Sequence, residues 1–382
     1  MKKKARHEKI GLVLPGGGAR GAYQAGVLKA FLEISQKRSQ CPFKIISGTS
    51  SGAINAAFLA AESHIFHHSI SRLVDLWSNF SSNKVYKTDP ITMLKSSLHW
   101  FLTIISGGIL ISNPKSLLDN QPLRKLLEEH IRFSNIEVNL NQSNFESLAI
   151  TSASYKSRKS CTFFQSSSIS DNWQRFLREG RTTTINVDHL MASVALPLIF
   201  PAVQIDKEYF GDGAMRQATP LSPAIRLGAE KILIISTHET GERPAISDYL
   251  AQYPSFEKIT GYMLGALFLD GLYSDIERLD RINQIIINAK NAEIKTNKKL
   301  MKHIDYLVIA PSEDPNEIAQ KYYHHIPLSI RLLLQGLGLL EDRESELLSF
   351  LLFESVYTKE LIDLGYRDGI KKKEEIIDFM GQ

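Results

Sequence analysis

The sequence contains little cysteine and no long hydrophobic run. Its 382 residues include two cysteines, Cys41 and Cys161, which cannot form a disulfide framework and therefore favour a reducing compartment. The longest apolar stretches, residues 100–112 and 326–340, fall short of the roughly 20 apolar residues that a membrane-spanning helix needs. The net charge is only +4, far from the strongly basic surface of a dedicated nucleic-acid binder. An apolar fraction of 43% excludes a wholly disordered chain.

We also expect no secretory signal. Residues 1–8 form a basic tail, but the apolar run that follows, Ile10 to Leu14, is too short for a signal peptide and ends at Pro15. The tail is expected to be solvated, or else to be attracted to anionic lipid. We therefore expect a cytoplasmic protein, and we expect any membrane contact to be peripheral.

Short apolar segments alternate with helical patterns over the first 240 residues or so, which predicts a parallel or mixed sheet with helices on its faces. The expected strands are Ile10–Leu14, Phe43–Ile46, Leu148–Ala153, Cys161–Phe164, Val203–Ile205, Glu208–Phe210, Lys231–Ser236 and Tyr306–Ile309. The expected helices are Ala22–Ser35, Ala53–Ala61, Ser71–Asn79, Leu118–Ile131, Val187–Val194 with Asn186 as its cap, Ser222–Leu227, Ile259–Ile287, Ile326–Leu340 and Glu344–Leu364.

Three successive glycines lie between the first expected strand and the first expected helix. Gly16, Gly17 and Gly18 let the main chain approach a ligand closely, and their N–H groups at a helix start can face a developing negative charge. The spacing with Gly21 also fits a dinucleotide fingerprint, but no acidic residue follows the next strand at Ser47. No Gly-Lys-Ser/Thr follows the loop, which excludes a phosphate-binding P-loop.

The second expected strand runs into the sequence Gly-Thr-Ser-Ser-Gly at Gly48–Gly52, and a small-residue helix follows. A Gly-x-Ser-x-Gly turn between a strand and a helix exposes the central hydroxyl, here that of Ser50, at the end of the sheet. The alternative is a serine that caps a helix in an ordinary loop. A nucleophilic serine needs a base, and a histidine partner stays open at this point. The candidates are His64, His67, His68, His189, His238, His324 and His325.

Four segments occur in a fixed order along the chain. They are Gly-Gly-Gly-Ala-Arg-Gly at Gly16–Gly21, Gly-Thr-Ser-Ser-Gly at Gly48–Gly52, Ala-Ser-x-Ala-x-Pro-x-x-Phe-Pro at Ala192–Pro201 and Asp-Gly-Ala at Asp212–Ala214. In this order they closely resemble the motifs of the patatin-like phospholipases, including the bacterial members. The resemblance implies an α/β fold, a three-layer sandwich with a central, mostly parallel sheet.

The resemblance also implies a catalytic dyad in place of a triad. Ser50 would be the nucleophile, and Asp212 would accept its proton directly. The N–H groups of Gly16, Gly17 and Gly18 would form the oxyanion hole, and no metal or cofactor would be needed. Supporting roles in the motifs would fall to Arg20, Gly21, Gly48, Gly52 and Gly213.

The activity implied by the resemblance is hydrolysis of fatty acyl esters in phospholipids or lysophospholipids through an acyl-serine intermediate. The partners would be the lipid substrate and a membrane surface, without nucleic acid. Alternatives that use the same intermediate are acyl transfer to another acceptor and thioester cleavage, and a third is a non-catalytic lipid-binding module. The chain departs from the family's pattern at Ala202, where a second proline is common, and at Gln217, where many members have asparagine. The change at Gln217 bears on substrate preference.

The chain is expected to divide into a basic tail at residues 1–8, a catalytic α/β domain at residues 9–240 and a mainly helical extension at residues 241–382 that packs on it. Two apolar segments are candidates for contact with lipid, residues 100–112 and 326–340. Ordinary core packing is the alternative for both.

Overall fold

The structure, a computed structural model, describes residues 8–35, 39–89, 115–168, 170–239, 256–291, 302–336, 340 and 346–381. The strands are β1 (Ile10–Leu14), β2 (Phe43–Thr49), β3 (Ser147–Ser154), β4 (Ser160–Ser166), β5 (Trp173–Gln174), β6 (Arg178–Thr182), β7 (Val203–Ile205), β8 (Glu208–Asp212), β9 (Lys231–Ile235) and β10 (Asp305–Ile309). The helices are α1 (Gly21–Ile34), α2 (Ser51–Ala61), α3 (Phe66–Ser78), α4 (Ser82–Val85), α5 (Gln121–His130), α6 (Ser134–Asn141), α7 (Val187–Ser193), α8 (Ser222–Arg226), α9 (Phe256–Asn291), α10 (Pro315–Lys321), α11 (Leu328–Gly336), α12 (Glu346–Leu351), α13 (Ser355–Lys371) and α14 (Lys373–Met380).

The described strands form one mixed sheet whose centre is parallel. Strands β10, β9, β1, β2 and β3 lie side by side in this order and run in the same direction. Beyond β3 the sheet continues through β4, β6 and β5, with β4 antiparallel to β3. The carboxyl ends of parallel strands meet at one edge, which is where ligand sites of α/β sheets form. Ser50 lies at this edge, directly after β2.

Both faces of the central strands are buried. In β1, Leu12 and Leu14 pack into one hydrophobic cluster, whereas Val13 packs into another, because successive side chains of a strand point to opposite faces. Ile45 and Ile46 of β2 divide in the same way. The first cluster includes side chains of α1, α2, α3 and α13, and the second includes side chains of α8 and α9. The three-layer α/β sandwich with a mostly parallel central sheet is therefore confirmed.

Helices α1 and α13 cross with their backbones in near contact. A Cβ atom on Gly26 would lie 2.0 Å from the carbonyl oxygen of Ile362, and one on Gly365 would lie 2.2 Å from that of Tyr23. Only glycine leaves room for an approach this close. The Tyr23 hydroxyl also donates a hydrogen bond of 3.2 Å to the buried carboxylate of Asp368. Helix α13 is thereby packed directly against α1, the helix that follows the first strand.

The eight expected strands are confirmed, with small differences at their ends, and Asn186 is confirmed as the cap of α7. The Asn186 side chain accepts a hydrogen bond from the N–H of Asp188 at 3.0 Å. Strands β5 and β6 are absent from the sequence prediction. The β6 sequence, Arg-Glu-Gly-Arg-Thr, has no apolar alternation, so periodicity gives no signal there.

The expectation of one helix over Glu344–Leu364 is wrong. Helix α12 ends at Leu351, and α13 begins at Ser355. Between them the chain turns Phe353 inward, and its ring lies 6.0 Å from that of Phe80. Burial of this aromatic ring outweighs the continuity of the helical pattern.

The two candidate lipid segments have different outcomes. Residues 100–112 lie outside the described residues. In the segment 326–340, α11 buries Ile330 and Leu333 in the core and leaves Leu332 58% exposed. Core packing therefore accounts for one face of this helix. Across the described ranges, none of the helices combines the length and the apolar character that crossing a bilayer requires.

The C-terminal part contributes to the same sheet as the N-terminal part. Strand β10 pairs in parallel with β9 along its whole length, from Asp305 to Ile309. The expected boundary at residue 240 stays a prediction, and the shared sheet means that any extension beyond it is integrated with the sheet domain.

The α1–α13 crossing predicts that Gly26→Ala destabilises the protein by at least about 1–3 kcal/mol, because the added methyl group has no space. The matched control is Gly336→Ala, since a Cβ atom on Gly336 would meet no atom of the described residues within 4 Å. The free energy of unfolding in urea measures both changes. Equal stability of the two variants would contradict the close crossing.

Candidate active site

Ser50 occupies a sharp turn between β2 and α2. Its backbone has φ 53° and ψ −128°, a combination that costs a non-glycine residue about 1–3 kcal/mol. The turn is tight on both sides, because a Cβ atom on Gly48 would lie 2.3 Å from the Gly52 carbonyl oxygen. A Cβ atom on Gly52 would lie 2.0 Å from the carbonyl oxygen of Leu14 in β1. Both glycines of the motif are therefore required by space, and the turn has the geometry of a nucleophile elbow.

A buried serine on a neighbouring helix holds this turn in place. The N–H group of Ser50 donates a 2.9 Å hydrogen bond to Oγ of Ser193, the last residue of α7. The Ser193 hydroxyl in turn donates a 2.6 Å hydrogen bond to the carbonyl oxygen of Thr151 in β3. Sequence reasoning included Ser193 in a motif and gave it no role. Its fixed place in that motif is the signal that could have found it.

The sheet itself brings Asp212 next to Ser50. The last residue of β2, Thr49, lies opposite Thr151 of β3. The next residue of β3, Ser152, pairs with Asp212 of β8, so β8 enters the sheet where β2 leaves it. Positions separated by more than 160 residues in sequence thus become neighbours at one sheet edge.

The Asp212 carboxylate lies close to the Ser50 hydroxyl, which favours its charged form. Its Oδ1 atom accepts a 2.9 Å hydrogen bond from the N–H of Ala214, and its own N–H donates to the carbonyl oxygen of Ala195 at 2.9 Å. Gly213 is required here, because a Cβ atom would lie 2.2 Å from the Thr151 carbonyl oxygen. The two residues that the sequence singles out are therefore in direct contact.

Burial dominates the electrostatics of this pair. Asp212 is only 1% exposed, and burial raises the pKa of its carboxyl from 3.8 to about 7. The hydrogen bonds from Ser50 and Ala214 stabilise the charged form and lower the pKa in part. A carboxyl group that titrates near neutral pH is a far better base than an ordinary aspartate.

Ser50 and Asp212 face a small apolar cavity of about 40 Å³. Its volume is enough for a few water molecules. Its aromatic and aliphatic wall includes Trp77, Phe80, Leu196, Phe200, Phe350 and Phe353. The C-terminal part of the chain thus supplies a wall of the site, and the apolar wall explains the raised pKa.

The glycine loop reaches the site through one of its three glycines. Gly18, with φ 57°, lines the cavity together with Ser50, and a Cβ atom on it would lie 2.3 Å from the Phe350 carbonyl oxygen. Gly17 packs against Thr237 instead, and the carbonyl oxygen of Gly16 accepts a 2.6 Å hydrogen bond from the Thr237 hydroxyl. The loop is therefore held between the segment that follows β9 and helix α12.

Arg20 is buried and binds the C-terminal part of the chain. Its Nε atom donates to Oγ of Ser349 at 2.9 Å, and Nη2 donates to Oδ1 of Asn316 at 2.7 Å. Its guanidinium group also lies 4.2 Å from the centre of the Phe350 ring. Gly21 packs tightly too, since a Cβ atom there would lie 2.9 Å from a Trp77 ring carbon. These contacts explain why the motif needs an arginine without giving it contact with a substrate.

The histidine candidates do not face Ser50. No histidine in the described part of the chain lines the cavity. His189 caps α7, and burial lowers its pKa to about 4. His238 packs 5.9 Å from the Phe350 ring. Within the same ranges, no cluster of three or more His, Cys, Asp or Glu side chains is arranged to hold a metal ion.

Ser50 lies in a strand–turn–helix turn beside a buried aspartate at the edge of a mostly parallel sheet, an arrangement known from α/β folds. The sequence profile of the family described as patatin-like phospholipase matches residues 12–225, more than half of the chain. The chain belongs to the patatin-like phospholipase family. The family resemblance of the four motifs is thereby confirmed.

Individual relatives match smaller parts or match less closely. Over 56 residues the chain is 48% identical to Lysophospholipase nte1 of Aspergillus terreus, and this stretch covers 15% of the chain and 3% of that protein. VipD from Legionella pneumophila has a TM-score of 0.40 at 12% identity, over 97% of this chain and 67% of that one. A chain of the complex of full-length SpcU and ExoU from Pseudomonas aeruginosa has a TM-score of 0.22 at 18% identity, over 42% of this chain and 35% of that one. Scores this low add nothing to the fold described above.

The Ser193 contacts predict that Ser193→Ala slows covalent labelling of Ser50 by a fluorophosphonate by about 10²-fold, because the turn loses the acceptor that fixes it. The matched control is Ser152→Ala, whose buried hydroxyl finds no hydrogen-bond partner among the described residues. Labelling rates of both variants, measured with folding checked by circular dichroism, test this role. Equal rates would contradict it.

The Asp212 pKa predicts that labelling of Ser50 by a fluorophosphonate slows as the pH drops below about 7, because only the carboxylate accepts the proton.

The effect of the same pKa on the stability of the fold has the opposite sign. The folded-state pKa lies above the ordinary value, so the neutral carboxyl favours folding, and this contribution is lost as the pH rises through about 7. Asp212→Asn should therefore raise the melting temperature relative to the wild type more at about pH 8.5 than at about pH 5. A pH-independent difference would argue against a buried, titrating carboxyl.

Proposed function

We propose that the protein is a lipid acyl hydrolase, which cleaves fatty acyl esters of phospholipids or lysophospholipids with Ser50 as nucleophile and Asp212 as base. The observation that carries the proposal is the position of Ser50 beside the buried carboxyl of Asp212 in the wall of one cavity. Membership of the patatin-like phospholipase family supports a lipid ester as the substrate.

The first half of the reaction forms an acyl-enzyme. Asp212 takes the proton of the Ser50 hydroxyl while Oγ attacks the ester carbonyl carbon, and the carbonyl oxygen becomes an oxyanion. The tetrahedral intermediate then collapses, the bond to the leaving oxygen breaks, and Asp212 returns the proton to the departing alcohol. The products are an acyl-serine and the released alcohol, which is a lysolipid when the substrate is a phospholipid and a glycerophosphodiester when it is a lysophospholipid.

The second half uses water in the same way. Asp212 removes a proton from a water molecule that attacks the acyl carbonyl carbon, and the Ser50 oxygen leaves with that proton. The cavity of about 40 Å³ has room for this water beside the pair. Every step uses groups of this chain and water.

The glycine loop is proposed to stabilise the oxyanion through its N–H groups. Gly18 is the best placed of the three, because it lines the cavity with Ser50 and Asp212. The start of α2 adds the positive end of a helix dipole at the same point. Each donor aimed at the oxyanion is worth about 2.7–4 kcal/mol of the barrier. Gly16 and Gly17 fix the loop through Thr237.

We also propose a domain organisation and a cellular location for the protein. The catalytic unit would be residues 9–240, with residues 241–382 as an extension that supplies Phe350 and Phe353 to the cavity wall. The protein would work in the cytoplasm and meet its substrate at a membrane surface by peripheral contact. Anionic lipid would attract the mild excess of basic residues.

The dyad predicts that Ser50→Ala and Asp212→Asn each lower hydrolysis of a lysophospholipid by at least about 10³-fold, because the nucleophile and its base act as one unit. The matched control is Ser152→Ala, a buried serine of β3 that lies outside the cavity wall and whose hydroxyl finds no partner within the described residues. Release of free fatty acid, measured with folding verified, decides the outcome. Near-wild-type rates in either variant would contradict the assignment of Ser50 as nucleophile and Asp212 as base.

The same assay separates the alternative reactions. Addition of an alcohol or a lysolipid acceptor would divert the acyl group into a new ester if the protein is an acyltransferase, and an acyl thioester substrate would reveal a thioesterase. A protein that binds lipid without catalysis would leave Ser50 unlabelled by a fluorophosphonate. Free fatty acid as the main product, with Ser50 labelled, supports the hydrolase.

A further inference from the structure

The turn between β5 and β6 exposes two adjacent apolar side chains. Phe176 is 91% exposed and Leu177 is 51% exposed. A single exposed apolar residue needs no explanation, but a phenylalanine this free of contacts at the tip of a turn, next to a second apolar residue, is unusual. These side chains contribute little to the fold, so the fold gives no reason for them.

Basic side chains surround this tip. Arg175 and Arg178 flank the two apolar residues in sequence. The turn between β3 and β4 lies alongside, because the N–H of Ser160 donates a 2.9 Å hydrogen bond to the carbonyl oxygen of Leu177, and Ser160 pairs with Arg178. That second turn carries three more basic residues. The two turns together form what we call the docking edge, which consists of Lys156, Arg158, Lys159, Arg175, Phe176, Leu177 and Arg178.

Most of the charge of the docking edge is not neutralised within the described part of the chain. No acidic side chain there forms an ion pair with any of its five basic residues. Of the acidic residues on the adjoining strands, Glu179 and Glu208 are both paired with Arg181. Arg178 is the exception among the five, because its Nη1 atom donates a 2.6 Å hydrogen bond to Oγ1 of Thr219 and its charge favours the ionised form of the buried Asp275. Burial and then the repulsion from Arg175 and Arg178 lower the pKa of the nearby Arg226. The edge therefore has an excess of positive charge at Lys156, Arg158, Lys159 and Arg175.

The docking edge lies at the same end of the sheet as the candidate site. Strand β3 pairs with Asp212 at Ser152 and runs on into the basic turn within a few residues. Tyr155, at the start of that turn, lies against the main chain of β8, since a Cβ atom on Gly211 would lie 2.8 Å from its hydroxyl oxygen. Burial and then the charge of Asp212 raise the Tyr155 pKa, which reflects the same proximity. A surface that binds this edge would hold the Ser50 cavity close to it.

We propose that the docking edge binds the surface of an anionic lipid bilayer. Phe176 and Leu177 insert among the headgroups, and the side chains of Lys156, Arg158, Lys159 and Arg175 contact lipid phosphates and carboxylates. Exposed apolar side chains within a basic ring match the two components of interfacial binding, which are buried apolar area and attraction to anionic lipid. The charge complementarity favours a membrane over a protein partner.

This inference rests on the proposed function for its purpose, because a hydrolase of membrane lipids must reach its substrate at a bilayer. Membrane binding can nevertheless be tested separately, because it does not require the reaction. The Ser50→Ala protein can therefore be used for every binding measurement, so that no lipid is consumed.

The test is flotation of the Ser50→Ala protein with vesicles of phosphatidylcholine alone and with vesicles of phosphatidylcholine and phosphatidylglycerol in equal parts. We expect binding to the mixed vesicles only, with loss of binding at high salt. Adding Phe176→Ser should weaken the binding by about tenfold. Adding Arg175→Gln or Arg158→Gln should each weaken it by about fivefold and reduce its dependence on salt.

Matched controls place the same substitutions elsewhere. Ile285→Ser removes an apolar side chain that is 54% exposed on α9, and Arg132→Gln removes an exposed charge outside the docking edge. Neither should change binding. Phe176→Ser in the protein with intact Ser50 should keep its activity on a soluble short-chain ester, because Phe176 lies outside the cavity wall.

The outcomes separate this inference from the proposed function. Equal binding of the Phe176→Ser and control proteins, or equal loss of binding in both, would overturn the docking edge. Hydrolysis of lipid without any dependence of binding on the edge would overturn the edge and leave the hydrolase intact. Binding that depends on the edge, in a protein whose Ser50 variants show no change in ester cleavage, would support the edge and overturn the hydrolase.

Discussion

The strained backbone of Ser50 is the constraint on which the site depends. A side chain at φ 53° has an unfavourable conformation, and the surrounding structure must offset its cost. It does so by packing: Gly52 lies against the main chain of β1, and the Ser50 N–H is bound by Ser193. The same closeness brings the start of α2 to the cavity. Turn, strand and helix therefore cannot be altered independently.

Burial has two opposing consequences for Asp212. The apolar wall makes a charged carboxylate costly, which weakens the fold, and it makes the same carboxylate a stronger base, which suits proton transfer. The hydrogen bonds from Ser50 and Ala214 recover part of the cost and fix the direction of the carboxylate. A more polar wall would give a more stable protein with a weaker base.

The sequence predicted the α/β class, the strands of the central sheet and the motif residues, because apolar runs and fixed glycine spacings are local signals. It could not show that Asp212 takes up the position beyond the end of β2, since that depends on β8 pairing with β3 across the chain. It also assigned no role to Ser193, whose importance lies in a contact with residue 50. The break before Ser355 and the polar strand β6 were missed because burial of single aromatic rings and pairing to a neighbour outweigh local pattern. The assignment of Ser50 and Asp212 to catalysis stays a prediction.

The clamp of the glycine loop on α12 also sets the order in which the site is completed as the protein is made. A ribosome adds both Ser50 and Asp212 well before it reaches Phe350, whose main chain abuts Gly18. A growing chain therefore carries Ser50 and Asp212 while one wall of their cavity is still unsynthesised. Only a polypeptide that extends past Phe353 has a closed, apolar site, so fragments released before that point would have an open cavity in which water reaches the aspartate freely.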